Sequence, residues 1–345
     1  MKVSRHSWHR LVQEVPVDAR RPIIDAHHHL WREGEGPHAG PAYLHGQLLS
    51  DIAAHNVVGT MYVESGADMR NDRPGEMRGV EETRFAACIA ARAAATRAPI
   101  LGIVAAADLR LGERVGDALD AHMEAGQGRF RGIRHRHDKS GAGAAYNPLT
   151  DASVLPALKL LGKRNYSFDA FALFSQLDNL TRLVRSVPDT QFILLHLGLP
   201  LMSGAFGARE DVLLAWRQGM VEAARCPNLA LKLGGIGMDS LYGMGWSTRD
   251  LPPTSDEVAA WWGDDIRFCI DTFGPSRCMF ESNFPVDGEG VGYTVLWNAF
   301  QKIAAAYSDS EQDALFAGTA IQYYRLGGFA RMTNHKHIKG RACVL

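Results

Sequence analysis

Residues 23–31 read IIDAHHHLW, and this stretch carries the strongest signal for both fold and function in the chain. Its apolar start is typical of a buried β-strand, and successive side chains of a strand point to opposite faces. His27 and His29 therefore share one face, while His28 points to the other. Two imidazoles on one face can bind the same metal ion, so the stretch predicts a strand that ends in a metal site.

Seven more short apolar runs follow, and helical spacing fills the segments between them. With the first run at 22–27, the predicted strands are 22–27, 57–63, 100–106, 130–135, 166–173, 192–197, 229–233 and 278–283. The predicted helices are 80–96, 113–125, 151–161, 177–186, 211–224, 256–272 and 291–307. Alternating strands and helices indicate a parallel sheet with helices outside it. Eight such units fit 345 residues, so we predict a single (β/α)8 TIM barrel of the α/β class.

No linker, composition break or internal repeat divides the chain, which predicts one catalytic domain over 22–326. An N-terminal extension over 1–21 is expected to form a short helix and cap. A C-terminal tail over 327–345 is either an arm across a neighbouring subunit or a solvated tail. The loops at 31–47 and 234–253 follow strand ends, where the active sites of barrels lie.

Composition restricts the classes of partner. Lys and Arg number 37 against 38 Asp and Glu, and the sequence has no cluster of basic residues of the kind that binds a phosphate backbone. We therefore expect no nucleic-acid partner. No apolar run reaches the roughly 20 residues that span a bilayer, and residues 1–21 lack a secretory signal. A cytoplasmic protein that meets no membrane is expected. Five cysteines without a CxxC pair favour reduced thiols.

Other polar residues at strand ends extend the candidate site. His196 ends a strand before a glycine turn and is the third candidate imidazole for the metal. Glu64, Glu281 and Asp169 also follow or end strands, and each could supply an anionic metal ligand, a base or a salt bridge at the rim.

Several residues at strand ends are candidates for binding substrate. Arg134, or Arg136 nearby, could clamp a carboxylate through its planar guanidinium. His135 alternates with these arginines at the end of its strand. Lys232 ends another strand and either neutralises a substrate anion or forms a structural ion pair. Trp31 begins the first long loop.

Several motifs together resemble the amidohydrolase-related group of the amidohydrolase superfamily, over nearly the whole chain. They are DAHHHLW (25–31), RGIRH (131–135), SFDA (167–170), HLGLP (196–200), LKLGG (231–235), ESNFPVD (281–287) and GTA (318–320). That group includes dicarboxylate and sugar lactonases and aminocarboxymuconate-semialdehyde-type decarboxylases. The resemblance implies a barrel that attacks a lactone, amide or related bond with water, or releases carbon dioxide, usually with a divalent metal and sometimes without.

Two positions depart from the pattern of the group. Asn283 stands where many relatives carry the Asp of a Gly-Ser-Asp-Trp-Pro turn, and an amide cannot serve as general base. Phe174 stands where relatives often place His ahead of Gln, which removes a ligand. Glu281, two residues before Asn283 and on the same strand face, could restore the missing charge, and Glu64 is the other substitute.

These observations predict a metal-dependent hydrolase acting on a small carboxylate-bearing lactone or amide. The predicted metal ligands are His27, His29, His196 and Glu281, and the catalytic set is Glu281, Glu64 and Asn283. Zinc is the first choice of metal, with iron or manganese as alternatives.

Two other functions remain open for the same barrel. One is an iron- or manganese-dependent oxygenase or a decarboxylase, because a shell of His and carboxylate with open positions also suits such chemistry. The other is a non-catalytic subunit that stabilises an active paralogue. The expected assembly is a homo-oligomer, or a hetero-oligomer with that paralogue.

Overall fold

The computed structural model describes residues 5–35, 40–67, 75–134, 147–202 and 208–328. Eight parallel strands form one sheet in chain order: β1 (Ile23–His28), β2 (Val57–Val63), β3 (Ile100–Ala106), β4 (Phe130–Arg134), β5 (Ser167–Ala170), β6 (Gln191–Leu194), β7 (Leu229–Leu233) and β8 (Cys278–Phe280). The ring closes where His28 and Phe284 form a parallel bridge between the end of β1 and the segment after β8. The predicted (β/α)8 barrel is confirmed.

Helices surround the strands in the described part of the chain: α1 (Arg5–His9), α2 (His45–Asp51), α3 (Arg78–Ala93), α4 (Val115–Ala125), α5 (Leu155–Lys163), α6 (Leu177–Ser186), α7 (Arg209–Ala224), α8 (Asp239–Tyr242), α9 (Ser255–Phe273), α10 (Tyr293–Ala304), α11 (Asp309–Asp313) and α12 (Thr319–Tyr323). The predicted helix at 177–186 has the observed bounds. The short α8 and the start of α2 lie in segments predicted as loops, since helices this short show little apolar periodicity.

Strands β6 and β8 end three residues earlier than predicted. His196 and Asn283, which follow them, have φ angles of 53° and 52°. This left-handed backbone cannot continue a strand. The turns therefore place both polar side chains at the carboxyl end of the barrel, where the site is built.

The other end of the barrel is closed by the C-terminal part of the described chain. Inward-facing apolar residues, including Ile24, Met61 and Ile193, pack against Tyr323 and Leu326 from α12 and the turn after it. This apolar layer separates the polar end of the barrel from solvent on that side.

The N-terminal extension begins with α1, as predicted, and then runs along α10. The backbone N–H groups of Val17 and Asp18 donate to Asn298 Oδ1 and Gln301 Oε1, both at 3.0 Å. Two amide side chains of α10 thus anchor the extension.

Three of the cysteines, Cys226, Cys269 and Cys278, are buried thiols without a disulfide, as expected. Cys88 is disulfide-bonded, which differs from the expectation of reduced thiols. Within the described ranges, no helix combines the length and the hydropathy needed to cross a bilayer.

Candidate active site

The centre of the site is formed by His27 and His29 from β1 and Asn283 from the turn after β8, all of them buried. His29 Nε2 lies 3.1 Å from His27 Nε2 and 3.2 Å from Asn283 Oδ1. His28 points away and contacts Thr60 Oγ1 at 3.0 Å. The two rings predicted to share a strand face therefore converge at the mouth of the barrel.

The hydrogen bonds around His29 and Asn283 fix which atoms face the centre. His29 Nδ1 lies 2.8 Å from the carbonyl oxygen of Val63, which can only accept, so Nδ1 carries the proton. In a neutral imidazole, Nε2 then presents a lone pair. Asn283 Nδ2 donates to Asp287 Oδ1 at 2.7 Å, which turns Oδ1 of the amide toward His29.

The carboxylate of Glu281 spans two imidazoles. Oε1 accepts from His196 Nδ1 at 2.7 Å, and Oε2 lies 2.8 Å from His27 Nδ1. Burial alone would raise the pKa of Glu281, but the neighbouring His196 and Lys232 outweigh it and hold the pKa below its usual value. Nδ1 of His196 carries the proton of its hydrogen bond to Oε1, and the short distance from Oε2 favours a proton on Nδ1 of His27 as well. Nε2 of His27 and of His196 then present lone pairs.

Burial also keeps His27 neutral. It lowers the pKa of His27 well below its usual value, and the nearby cation of Lys232 lowers it further. A neutral imidazole is the form that binds a metal. Its basic nitrogen, Nε2, faces His29, so the protonation state and the tautomer agree.

These atoms fit a divalent cation. Ligand atoms about 2.1 Å from a shared ion lie about 3.0 to 3.4 Å apart, which matches the separations around His29 Nε2. The contacts of Glu281 are shorter: Oε1 forms a hydrogen bond of 2.7 Å with His196 Nδ1, and Oε2 lies at an ion-pair distance of 2.8 Å from His27 Nδ1. His27, His196 and Glu281 also place one donor atom each within 4.8 Å of one another.

Arg134 and Glu64 form a buried ion pair beside the histidines. Arg134 Nε donates to Glu64 Oε1 at 2.6 Å, and Nη2 donates to the backbone carbonyl of Glu64. Arg134 Nη1 lies 3.5 Å from His27 Nε2. The sequence predicts separate roles for the two side chains, whereas the fold joins them across the mouth.

Lys232 lies inside the barrel, fully buried. Its Nζ is 3.2 Å from Asp169 Oδ2 and 3.4 Å from His27 Nδ1. The sequence left two roles open for Lys232, a contact with a substrate anion or a structural ion pair. Its contact with Asp169 is that of a structural ion pair.

The chain matches the family model described as "Amidohydrolase" over residues 24–326. It belongs to the amidohydrolase family. This amidohydrolase is 31% identical over 326 residues to the Sinorhizobium fredii protein named "Uncharacterized protein y4mH", covering 88% of this chain and 98% of that one. It is 26% identical over 311 residues to an L-fucono-1,5-lactonase of Burkholderia multivorans, covering 88% and 96%.

A solved Burkholderia multivorans amidohydrolase with bound zinc has the same fold, with a TM-score of 0.68, 24% identity and coverage of 88% of this chain and 99% of that one. These matches show an enzyme of the amidohydrolase superfamily and leave its reaction unspecified. They agree with the resemblance found in the sequence.

Trp31 lies at the edge of the amidohydrolase site. The ring of Trp31 stacks 6.3 Å from that of His29. With Tyr43, Phe284 and other residues, Trp31 lines an aromatic cavity of about 910 Å³. Phe174 is partly buried against the core. His135 lies outside the described residues.

Sequence reasoning missed Asp287 and Tyr324. Asp287 fixes the orientation of Asn283, and burial raises its pKa well above the usual value. Asp287 ends the ESNFPVD motif (281–287), four residues after Asn283, but nothing in the motif assigns it a role. Tyr324 donates from its hydroxyl to Asp169 inside the barrel. In sequence it is one more aromatic residue of an apolar C-terminal helix, so nothing distinguishes it.

Proposed function

We propose that this amidohydrolase is a metal-dependent hydrolase that opens a lactone, amide or related bond of a small carboxylate-bearing substrate with water. The observation that carries the proposal is the convergence of His27 Nε2, His29 Nε2 and Asn283 Oδ1. The L-fucono-1,5-lactonase name of one relative supports a lactone, and the zinc bound to a similar solved structure supports zinc.

The ion would be held by His27, His29 and His196 through Nε2, with the amide oxygen of Asn283 beside them. A bound divalent ion supplies a Lewis acid and lowers the pKa of a coordinated water to about 7. Imidazole donors suit zinc and also accept iron or manganese. Glu281 keeps the protons of His27 and His196 on Nδ1, so that both present Nε2 to the centre.

Arg134 is the proposed contact for substrate charge. Glu64 binds Nε and Nη2 of the guanidinium, which fixes the plane of the group and directs Nη1 toward His27. A fixed donor at this place can pair with a substrate carboxylate or with oxygen charge that develops during hydrolysis. Because Glu64 neutralises Arg134, we assign Glu64 to orienting the guanidinium.

Metal analysis combined with lactone hydrolysis tests the proposal. We expect purified protein to contain a divalent metal and to hydrolyse sugar-acid or dicarboxylate lactones, with L-fucono-1,5-lactone as the first probe and spontaneous opening as the blank. Chelator should abolish activity, and added zinc should restore it. Metal-free protein that hydrolyses lactone equally well in chelator would contradict the metal role.

The role of Glu281 gives a second expected result. Glu281→Gln removes the charge that holds two imidazole protons, so zinc affinity measured by chelator competition should fall about 10- to 100-fold while one ion still binds. The matched control is Glu289→Gln in the nearby loop, which should leave affinity unchanged. Complete loss of zinc binding in folded Glu281→Gln would instead make Glu281 a ligand.

A further inference from the structure

A positive charge is built into the barrel directly beneath the proposed metal site. Lys232 Nζ lies 3.2 Å from Asp169 Oδ2 and 3.9 Å from Glu281 Oε2, and all three side chains are fully buried. The same nitrogen is 3.4 Å from His27 Nδ1. A buried ammonium is stable when carboxylates balance its charge, and here two carboxylates flank it.

Further contacts fix this ammonium in place. Tyr324 donates from its hydroxyl to Asp169 Oδ2, and Ser167 Oγ donates to Asp169 Oδ1 at 3.2 Å. The Tyr324 ring also lies beneath the ammonium, with Nζ 5.2 Å from the ring centroid, a distance at which a cation is attracted to the ring face. Asp169 and Tyr324 are therefore positioning residues for Lys232.

The surroundings of Lys232 are those of a cation site. Two carboxylates, those of Asp169 and Glu281, face the same point. Oxygen-rich donor sets of this kind bind divalent ions. Lys232 Nζ occupies the point between them, and its charge repels another cation there.

From this we infer that Lys232 takes the place of a second metal ion, so that the site holds one divalent ion on the Nε2 side of His27. The inference rests on the proposed metal-dependent function. It assigns Lys232 to balancing charge inside the barrel, and leaves contact with substrate to Arg134.

Metal stoichiometry tests this assignment. Apo protein is titrated with Mn²⁺, and bound metal is counted after removal of the excess; folding is checked by circular dichroism. We expect wild type to bind one ion. Lys232→Met, which keeps the length of the side chain and removes the charge, should bind two. Lys232→Arg keeps the charge and should bind one.

The electron paramagnetic resonance spectrum of wild type loaded with Mn²⁺ gives a readout that needs no variant. We expect the spectrum of an isolated ion. Two ions per wild-type chain, or an exchange-coupled spectrum, would overturn the inference, as would a single ion in folded Lys232→Met. Wild type that binds no divalent metal would refute the proposed function itself. Failure of the inference about Lys232 and failure of the proposed function therefore give different results.

Discussion

Replacing His29 with glutamine is expected to abolish tight zinc binding and to lower lactone hydrolysis by roughly a thousandfold or more, because a Lewis-acid metal supplies several kcal/mol of transition-state stabilisation. His29 Nε2 is the atom that lies within 3.2 Å of both His27 and Asn283. Glutamine removes the nitrogen lone pair at that point. Bound zinc after dialysis and kcat/KM for the lactone measure the two effects.

His28→Gln is the matched control, since it makes the same change in the adjacent ring. His28 faces Thr60 on the other side of β1, so this variant should keep its zinc and most of its activity even if its stability falls. Equal loss of zinc in both folded variants would show that the paired arrangement of His27 and His29 is not the metal site.

The largest effect on stability is expected from the ion pair of Arg134 and Glu64, whose side chains are 3% and 4% exposed. Arg134→Met leaves a buried carboxylate without its guanidinium, and breaking a buried pair in this way costs about 3–5 kcal/mol. Glu64→Leu leaves the opposite charge and should cost a similar amount. Denaturant unfolding measures the free energy of each variant.

The double variant of Arg134→Met and Glu64→Leu should lose less free energy than the sum of the single variants, because it leaves neither charge buried alone. The exposed pair of Asp264 and Arg267, joined at 2.8 Å, gives the control. Asp264→Ala should change the free energy of unfolding by less than about 1 kcal/mol. Additive losses at Arg134 and Glu64 would show that the two charges do not stabilise each other.

The fold could be predicted from the sequence because strands inside a barrel are buried on both faces and appear as short apolar runs. The prediction placed the ends of β6 and β8 three residues too late. There His196 and Asn283 adopt positive φ angles that no apolar pattern reveals. Tertiary hydrogen bonds around these turns override the local preference for extended backbone.

The candidate site could be predicted only in part. The spacing of His27 and His29 predicts that the two rings share a face. Ile24 also faces the interior, so alternation along β1 is interrupted where its pairing is irregular, between Asp25 and His28, and the sequence does not reveal this. The pairing of Arg134 with Glu64 depends on how strands that are not neighbours face each other across the ring. The contact of Tyr324 with Asp169 depends on how the last helix enters the barrel, which one sequence does not specify.

The segment around Tyr324 matters for anyone who exchanges parts between related barrels. Although it lies at the end opposite the mouth, its hydroxyl binds Asp169, whose carboxylate binds Lys232. A chimera that received its final helix from a relative would have different contacts to Asp169 and Lys232 beneath the histidines. The number of metal ions that it binds would then depend on which protein supplied that helix, as well as on which protein supplied the loops.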